Sequence, residues 1–130
     1  MMTFEEFAAL ETKRARRSGR WFALVRIAPV GWAALDEEVE ALAHVVGAVL
    51  RRTDFVHRKR DREVAVVLVE TGALEANVPL ERIRKEAMER MPELQLRIGC
   101  AAAGPGQQWQ ETWRWAGRML VADAAAPAAA

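Results

Sequence analysis

The chain has 130 residues, 19 Lys and Arg against 18 Asp and Glu, and one cysteine. That length suits one domain, able to bury roughly two-thirds of its unfolded surface. The near-balance of charge supplies no field to argue for nucleic acid or an anionic membrane, and a lone Cys100 excludes an internal disulfide and a cysteine-rich metal site.

Thr3-Phe4-Glu5-Glu6 reads as a capping box, with Met2 and Phe7 placed for a hydrophobic staple. Phe4, Phe7, Ala8 and Leu10 then predict a helix to about Arg17, whose basic end KRARRSGR closes on Gly19. Those cations are read as favourable with the helix dipole rather than as nucleic-acid contacts. The polar start is no signal peptide and no apolar run could span a bilayer, so a cytoplasmic protein is expected.

Trp21 to Ala28 predicts a strand, stopped by Pro29 and Gly31. A second helix is expected from Leu35 to Arg52, with Leu35, Val39, Leu42, Val46 and Val49 as its buried stripe. A short strand over Phe55–His57, a charged turn over Arg58–Arg62 and a strand over Glu63–Val69 follow. The last of these, VAVVLV, shows no polar alternation, so both of its faces should be covered. A third helix is predicted after Pro79, with Leu80, Ile83, Ala87 and Met91 inward and Pro92 as its stop. Leu94–Ala101 is the fourth strand, Gly104-Pro105-Gly106 its loop, and Trp109, Trp113, Ala116 and Leu120 mark the inner face of a last helix.

This order predicts an α+β sandwich: a βαββαβ core of the ferredoxin-like, nucleotidyl-cyclase-like kind, with a mainly antiparallel sheet, helices packed on one face, and a leading and a trailing helix. Residues 1–122 form the single expected domain and 123–130 an Ala/Pro-rich tail. An RNA-recognition module shares that topology, but it needs aromatic residues on the middle strands to stack bases, and VAVVLV supplies none.

Arg51-Arg52-Thr53-Asp54 followed by five residues, a five-residue turn and a buried strand resembles the central hairpin of GGDEF (diguanylate cyclase) domains. FEEFAALETKRARRSGRWFALVRI, VETGALEANVPLERIRKEA, LQLRIGCAAAGPG and WRWAGRML resemble, in order and spacing, the family's leading helix and first strand, the stretch after the signature, the last strand and the final helix. The resemblance implies a shortened and degenerate member. The signature Gly-Gly-Asp-Glu-Phe reads Arg60-Asp61-Arg62-Glu63-Val64, so two side chains stand where glycines would admit substrate. The family's D-x-D-x-F metal-binding run reads Ala28-Pro29-Val30-Gly31-Trp32, without either aspartate. Glu63 matches the signature Glu, but one carboxylate does not hold two divalent cations, and it is expected to face solvent or pair with an arginine. Of the guanine-reading loop only Ala33-Ala34-Leu35-Asp36 remains, with Asp36 at the reading aspartate.

Arg51 and Asp54 keep the family's inhibitory R-x-x-D spacing, which implies a cyclic di-GMP site in which Arg binds guanine edge and phosphate and Asp a guanine N–H; Arg52, Arg58 and Arg60 would add positive potential. The bland alternative is ordinary surface electrostatics in an arginine-rich chain. Trp115 lies off the last helix's inner stripe, a candidate protein contact. His44 and His57 suggest no metal pair.

The expectation is therefore an inactive GGDEF-like regulatory module in bacterial signalling. No cofactor, no metal, no nucleic acid and no membrane are expected. Its partner would be another protein or an attached signalling domain, or a second copy meeting Trp115 and the first helix. The alternative is a cyclic di-GMP receptor using Arg51, Asp54 and Arg58.

Overall fold

The computed structural model describes residues 1–30 and 36–125. Its elements are α1 (Phe4–Ser18), β1 (Phe22–Pro29), α2 (Asp36–Val49), β2 (Phe55–Arg58), β3 (Val64–Leu68), α3 (Asn77–Arg90), β4 (Leu96–Ala103) and α4 (Trp109–Ala125). The expected stretch Gly31 to Leu35, with Trp32, lies outside the described residues.

Local chemistry sets most of these limits. Thr3 caps α1 by accepting from the Glu6 amide at 3.1 Å, while its hydroxyl donates to the Glu6 carboxylate at 3.2 Å. Gly19 ends the helix in the left-handed region at φ 73°, where glycine carries no Cβ penalty. α2 stops at Val49 rather than running to Arg52, because the Arg51 amide donates to the Asp54 carboxylate at 3.1 Å instead of continuing the helical ladder. α3 begins two residues before Pro79, not after it. Amides of a first turn lack intrahelical acceptors, so a proline there sacrifices no hydrogen bond. α4 runs through Ala125, across the boundary expected at residue 122, and Asp123 is tied into the domain by accepting from the Ile98 amide at 2.8 Å.

The four strands form one antiparallel sheet in the order β2-β3-β1-β4. α2 and α3, the helices of the βαββαβ core, lie on one face as expected, and the leading and trailing helices α1 and α4 cover the other. On one face Val25, Ile27, Val64, Val66 and Leu68 pack with Val39, Leu42 and Val46 of α2 and Ile83 and Ala87 of α3. The alternate residues Phe22, Leu24, Ala65 and Val67 meet Phe4 and Ala8 of α1 on the other face, with Trp109 and Trp113 of α4. The strict two-residue period of a strand makes both sides of β1 and β3 apolar, and each needs its own cover. Accordingly β3 is buried along its whole length. α4 rides very close over β4: a Cβ on Gly99 would meet the backbone of Ala116 and Leu120. Among the described residues no helix is long and apolar enough to cross a membrane.

Candidate functional site

Three places carry the residues singled out in the sequence. The turn Arg60 to Val64 links β2 and β3, closed by the Lys59 amide donating to the Glu63 carbonyl at 2.7 Å, with Arg62 at φ 63°. Arg60, Asp61 and Arg62 are exposed; Val64 is buried in the core. Glu63 does not face solvent. Its carboxylate receives Arg26 Nε at 2.8 Å and Arg26 Nη2 at 2.9 Å. The Arg26 guanidinium lies 4.5 Å from the Trp113 ring centroid and Nη1 donates to the Trp113 carbonyl at 3.3 Å. Sequence reasoning named no role for Arg26. The available signal was one cation inside the apolar run WFALVRIA, which a buried strand tolerates only with a partner.

Both oxygens of the Glu63 carboxylate thus face Arg26, and the stretch matching the family's metal run begins with Ala28 and Pro29 at the end of β1 and Val30 just after it. Among the described residues no group of three His, Cys, Asp or Glu could hold a metal ion.

Arg51 and Asp54 do come together, at the base of the hairpin formed by β2 and β3. Arg51 Nε and Nη2 donate to the two Asp54 oxygens at 3.1 and 3.0 Å. Nη2 also donates to the Val69 carbonyl and to Thr71 Oγ1 at 3.1 Å. Asp54 accepts two backbone amides besides, from Arg51 and, at 3.0 Å, from Val69. The hydrogen bond to Asp54 is the main reason the Arg51 pKa lies above its ordinary value. Arg51 is 58% exposed and Asp54 only 2%. The pair is a clasp tying the chain before β2 to the chain after β3, and its carboxylate points inward. Thr71, a buried polar residue in this clasp, gave no signal in the sequence.

Arg58 does not join that pair. It sits at the other end of β2, about 13 Å along the strand at ~3.3 Å per residue. There it pairs with Asp36 at 2.9 Å and Glu40 at 3.5 Å on α2, which also occupies the aspartate expected to read guanine. A groove beside Arg51 is shared by Arg82, Glu70 and Glu75. Trp115 is 56% exposed on α4, with the Arg118 guanidinium 4.8 Å from its ring. His44 and His57 lie on α2 and β2, and the His57 ring stacks against Phe55.

No family model and no curated protein sequence matches the chain. Solved structures do. The GGDEF domain of FimX from Pseudomonas aeruginosa matches with a TM-score of 0.82 at 17% identity, over 95% of this chain and 87% of that one. The GGDEF domain of DgcB from Caulobacter crescentus, solved in complex with c-di-GMP, matches at 0.79 and 20% identity, over 92% and 81%. The diguanylate cyclase SiaD from Pseudomonas aeruginosa, solved with its activator SiaC, matches at 0.80 and 19% identity, over 91% of this chain; the chain spans 52% of that one. Helices on both faces of an antiparallel β2-β3-β1-β4 sheet, joined in this order, are the fold of the GGDEF domain.

Proposed function

We propose that this chain is a module of cyclic di-GMP signalling that makes no dinucleotide and acts by contact with another protein or an attached signalling domain. The observation that carries the reading is the two-point fork between Arg26 and Glu63. A carboxylate at the signature position serves catalysis only as a ligand to divalent cations, and a guanidinium that already neutralises it leaves no charge for them. Ala28 and Val30 offer no replacement ligand. A protein-contact role is consistent with the exposed Trp115, and SiaD, a structural relative, is solved with a protein activator. The test is incubation of the purified protein with GTP and magnesium, with chromatography of the products. No cyclic di-GMP is expected, and its appearance at turnover overturns the reading.

A second reading, reception of cyclic di-GMP, is favoured by the half-exposed Arg51 guanidinium, whose hydrogen bonds to the described residues leave from Nε and Nη2. Arg82 lines the same groove, while Glu70, Glu75 and the almost fully buried Asp54, which line it too, oppose a dianion there. Calorimetric titration decides this: no heat, or unchanged binding by the Arg51→Ala protein, removes it.

A further inference from the structure

A concavity that no reading above assigns lies at the basic end of α1. It measures about 660 Å³, and its floor includes Phe7 and Phe22, with Trp21 standing 48% exposed at its side. Arg14, Arg17, Arg20 and Arg52 surround it. The helix dipole explains cations in the last turn of α1, where Arg16 and Arg17 stand. It does not explain why Arg20, beyond the helix, and Arg52, from the link between α2 and β2, converge on the same hollow. Two carboxylates line it as well, Glu11 and Glu70, and each is already matched: Glu11 by Arg14 at 2.8 Å and Glu70 by Arg20 at 2.7 Å. Arg17 and Arg52 have no hydrogen-bond or ion-pair partner among the described residues and are exposed. The hollow therefore combines an apolar aromatic floor with two unmatched guanidinium groups.

We propose that this groove receives an acidic peptide segment of a partner protein. A bulky apolar side chain seats on Phe7, Phe22 and Trp21, and flanking Asp or Glu carboxylates pair with Arg17 and Arg52. The proposal rests on the reading that the domain works through protein contact, and it names the place and chemistry of that contact. A planar guanidinium matches a carboxylate in a two-point pair, and an aromatic anchor beside it is the usual composition of an energetic hot spot. Single-stranded nucleic acid fits less well. It needs a groove of one sign and a row of aromatic platforms, whereas here Glu11 and Glu70 interrupt the positive rim and one ring is exposed.

The test uses the full chain and a fluorescein-labelled octapeptide, Glu-Glu-Asp-Leu-Phe-Asp-Glu-Glu, followed by fluorescence anisotropy. Saturable binding is expected, weakening as salt rises and falling about tenfold in the Arg17→Glu/Arg52→Glu protein. Both positions are exposed and unpaired, so circular dichroism stays at the parent value, and the melting temperature falls by only a few degrees for the anion placed in the last turn of α1. Replacing Leu-Phe by Ala-Ala in the peptide lowers binding by a similar factor, as does Trp21→Ala in the protein. Absence of saturable binding up to about 1 mM peptide overturns the proposal, as does undiminished binding after the double charge reversal. Tighter capture of a short single-stranded oligonucleotide, or of phosphatidylserine vesicles, than of the peptide also overturns it. Failure here with a silent GTP assay removes this groove alone, whereas cyclic di-GMP made from GTP removes the proposed function itself.

Discussion

Arg26 and Glu63 meet across the β1–β3 ladder as a closed fork, 20% and 12% exposed, with Trp113 stacked on the guanidinium. Removing one partner of such a pair leaves the other charge stranded out of water, while replacing both by apolar groups does not. Arg26→Ala should lower the unfolding free energy by about 3 kcal/mol, and Arg26→Met/Glu63→Leu by no more than about 1 kcal/mol. Equilibrium urea denaturation of the two proteins checks this. A double variant as unstable as the single one would show that packing on Trp113, rather than the unpaired carboxylate, sets the loss.

Gly99 is the point of closest approach between β4 and α4. A methyl group there meets the main chain of Ala116 and Leu120, which cannot rotate away as a side chain would. Gly99→Ala is expected to destabilise by about 3 kcal/mol or more. Gly106→Ala, at φ 87° with nothing near its added carbon, should lose only the left-handed backbone penalty of about 1 kcal/mol. Thermal melts of the two variants side by side separate the steric term from the conformational one.

Within the clasp, Asp54 serves two backbone amides as well as Arg51, and it is the inward member. Asp54→Ala strands both amides and should cost about 2–3 kcal/mol. Arg51→Ala leaves both amides satisfied but takes the counter-charge from a buried carboxylate, and should cost less, about 1–2 kcal/mol, because the two amides still hold that charge. Urea midpoints in the reverse order would mean that the Arg51 bonds to Val69 and Thr71 dominate.

Burial raises the Cys100 thiol from 9.0 to about 11. The folded chain then keeps a proton that the unfolded chain releases. The stabilising contribution is fully present below pH 9 and is lost as pH rises to about 11, with a total of about 3 kcal/mol at most. The chain has no tyrosine to titrate in that window. Cys100→Ala should flatten the alkaline stability profile, and the parent thiol should react with iodoacetamide at pH 8 much more slowly than in the unfolded chain. Native-state labelling as fast as that of the unfolded chain would contradict the partly buried placement.

Periodicity and capping residues were enough to place the eight elements in order, because each depends on neighbours within a turn or a strand. Element ends were less readable where a distant side chain decides them: α2 ends early because Asp54, three residues past Arg51, takes its amide. The covering of both sheet faces was half visible. The unbroken apolar run Val64–Leu68 required two covers, but nothing in α1 or α4 says which face each will occupy. Likewise Arg51 and Asp54 were found by spacing, yet the spacing does not say that their bonds run to each other and to Val69. Arg26 was missed because its partner lies 37 residues away. Arg58 was grouped with Arg51 by nearness in sequence, and an extended strand carries it to the opposite end.

The clasp at the foot of the hairpin has a consequence for reading motifs. The interval from Arg51 to Asp54 is the one that lets a single carboxylate reach the arginine's amide and its guanidinium together, while also holding Val69 on the returning chain. A knot of this kind has its own mechanical reason to persist. A pattern scan that treats Arg-x-x-Asp as a mark of dinucleotide reception would score a hit on the fastening of a β-ribbon, with or without any ligand for it to hold.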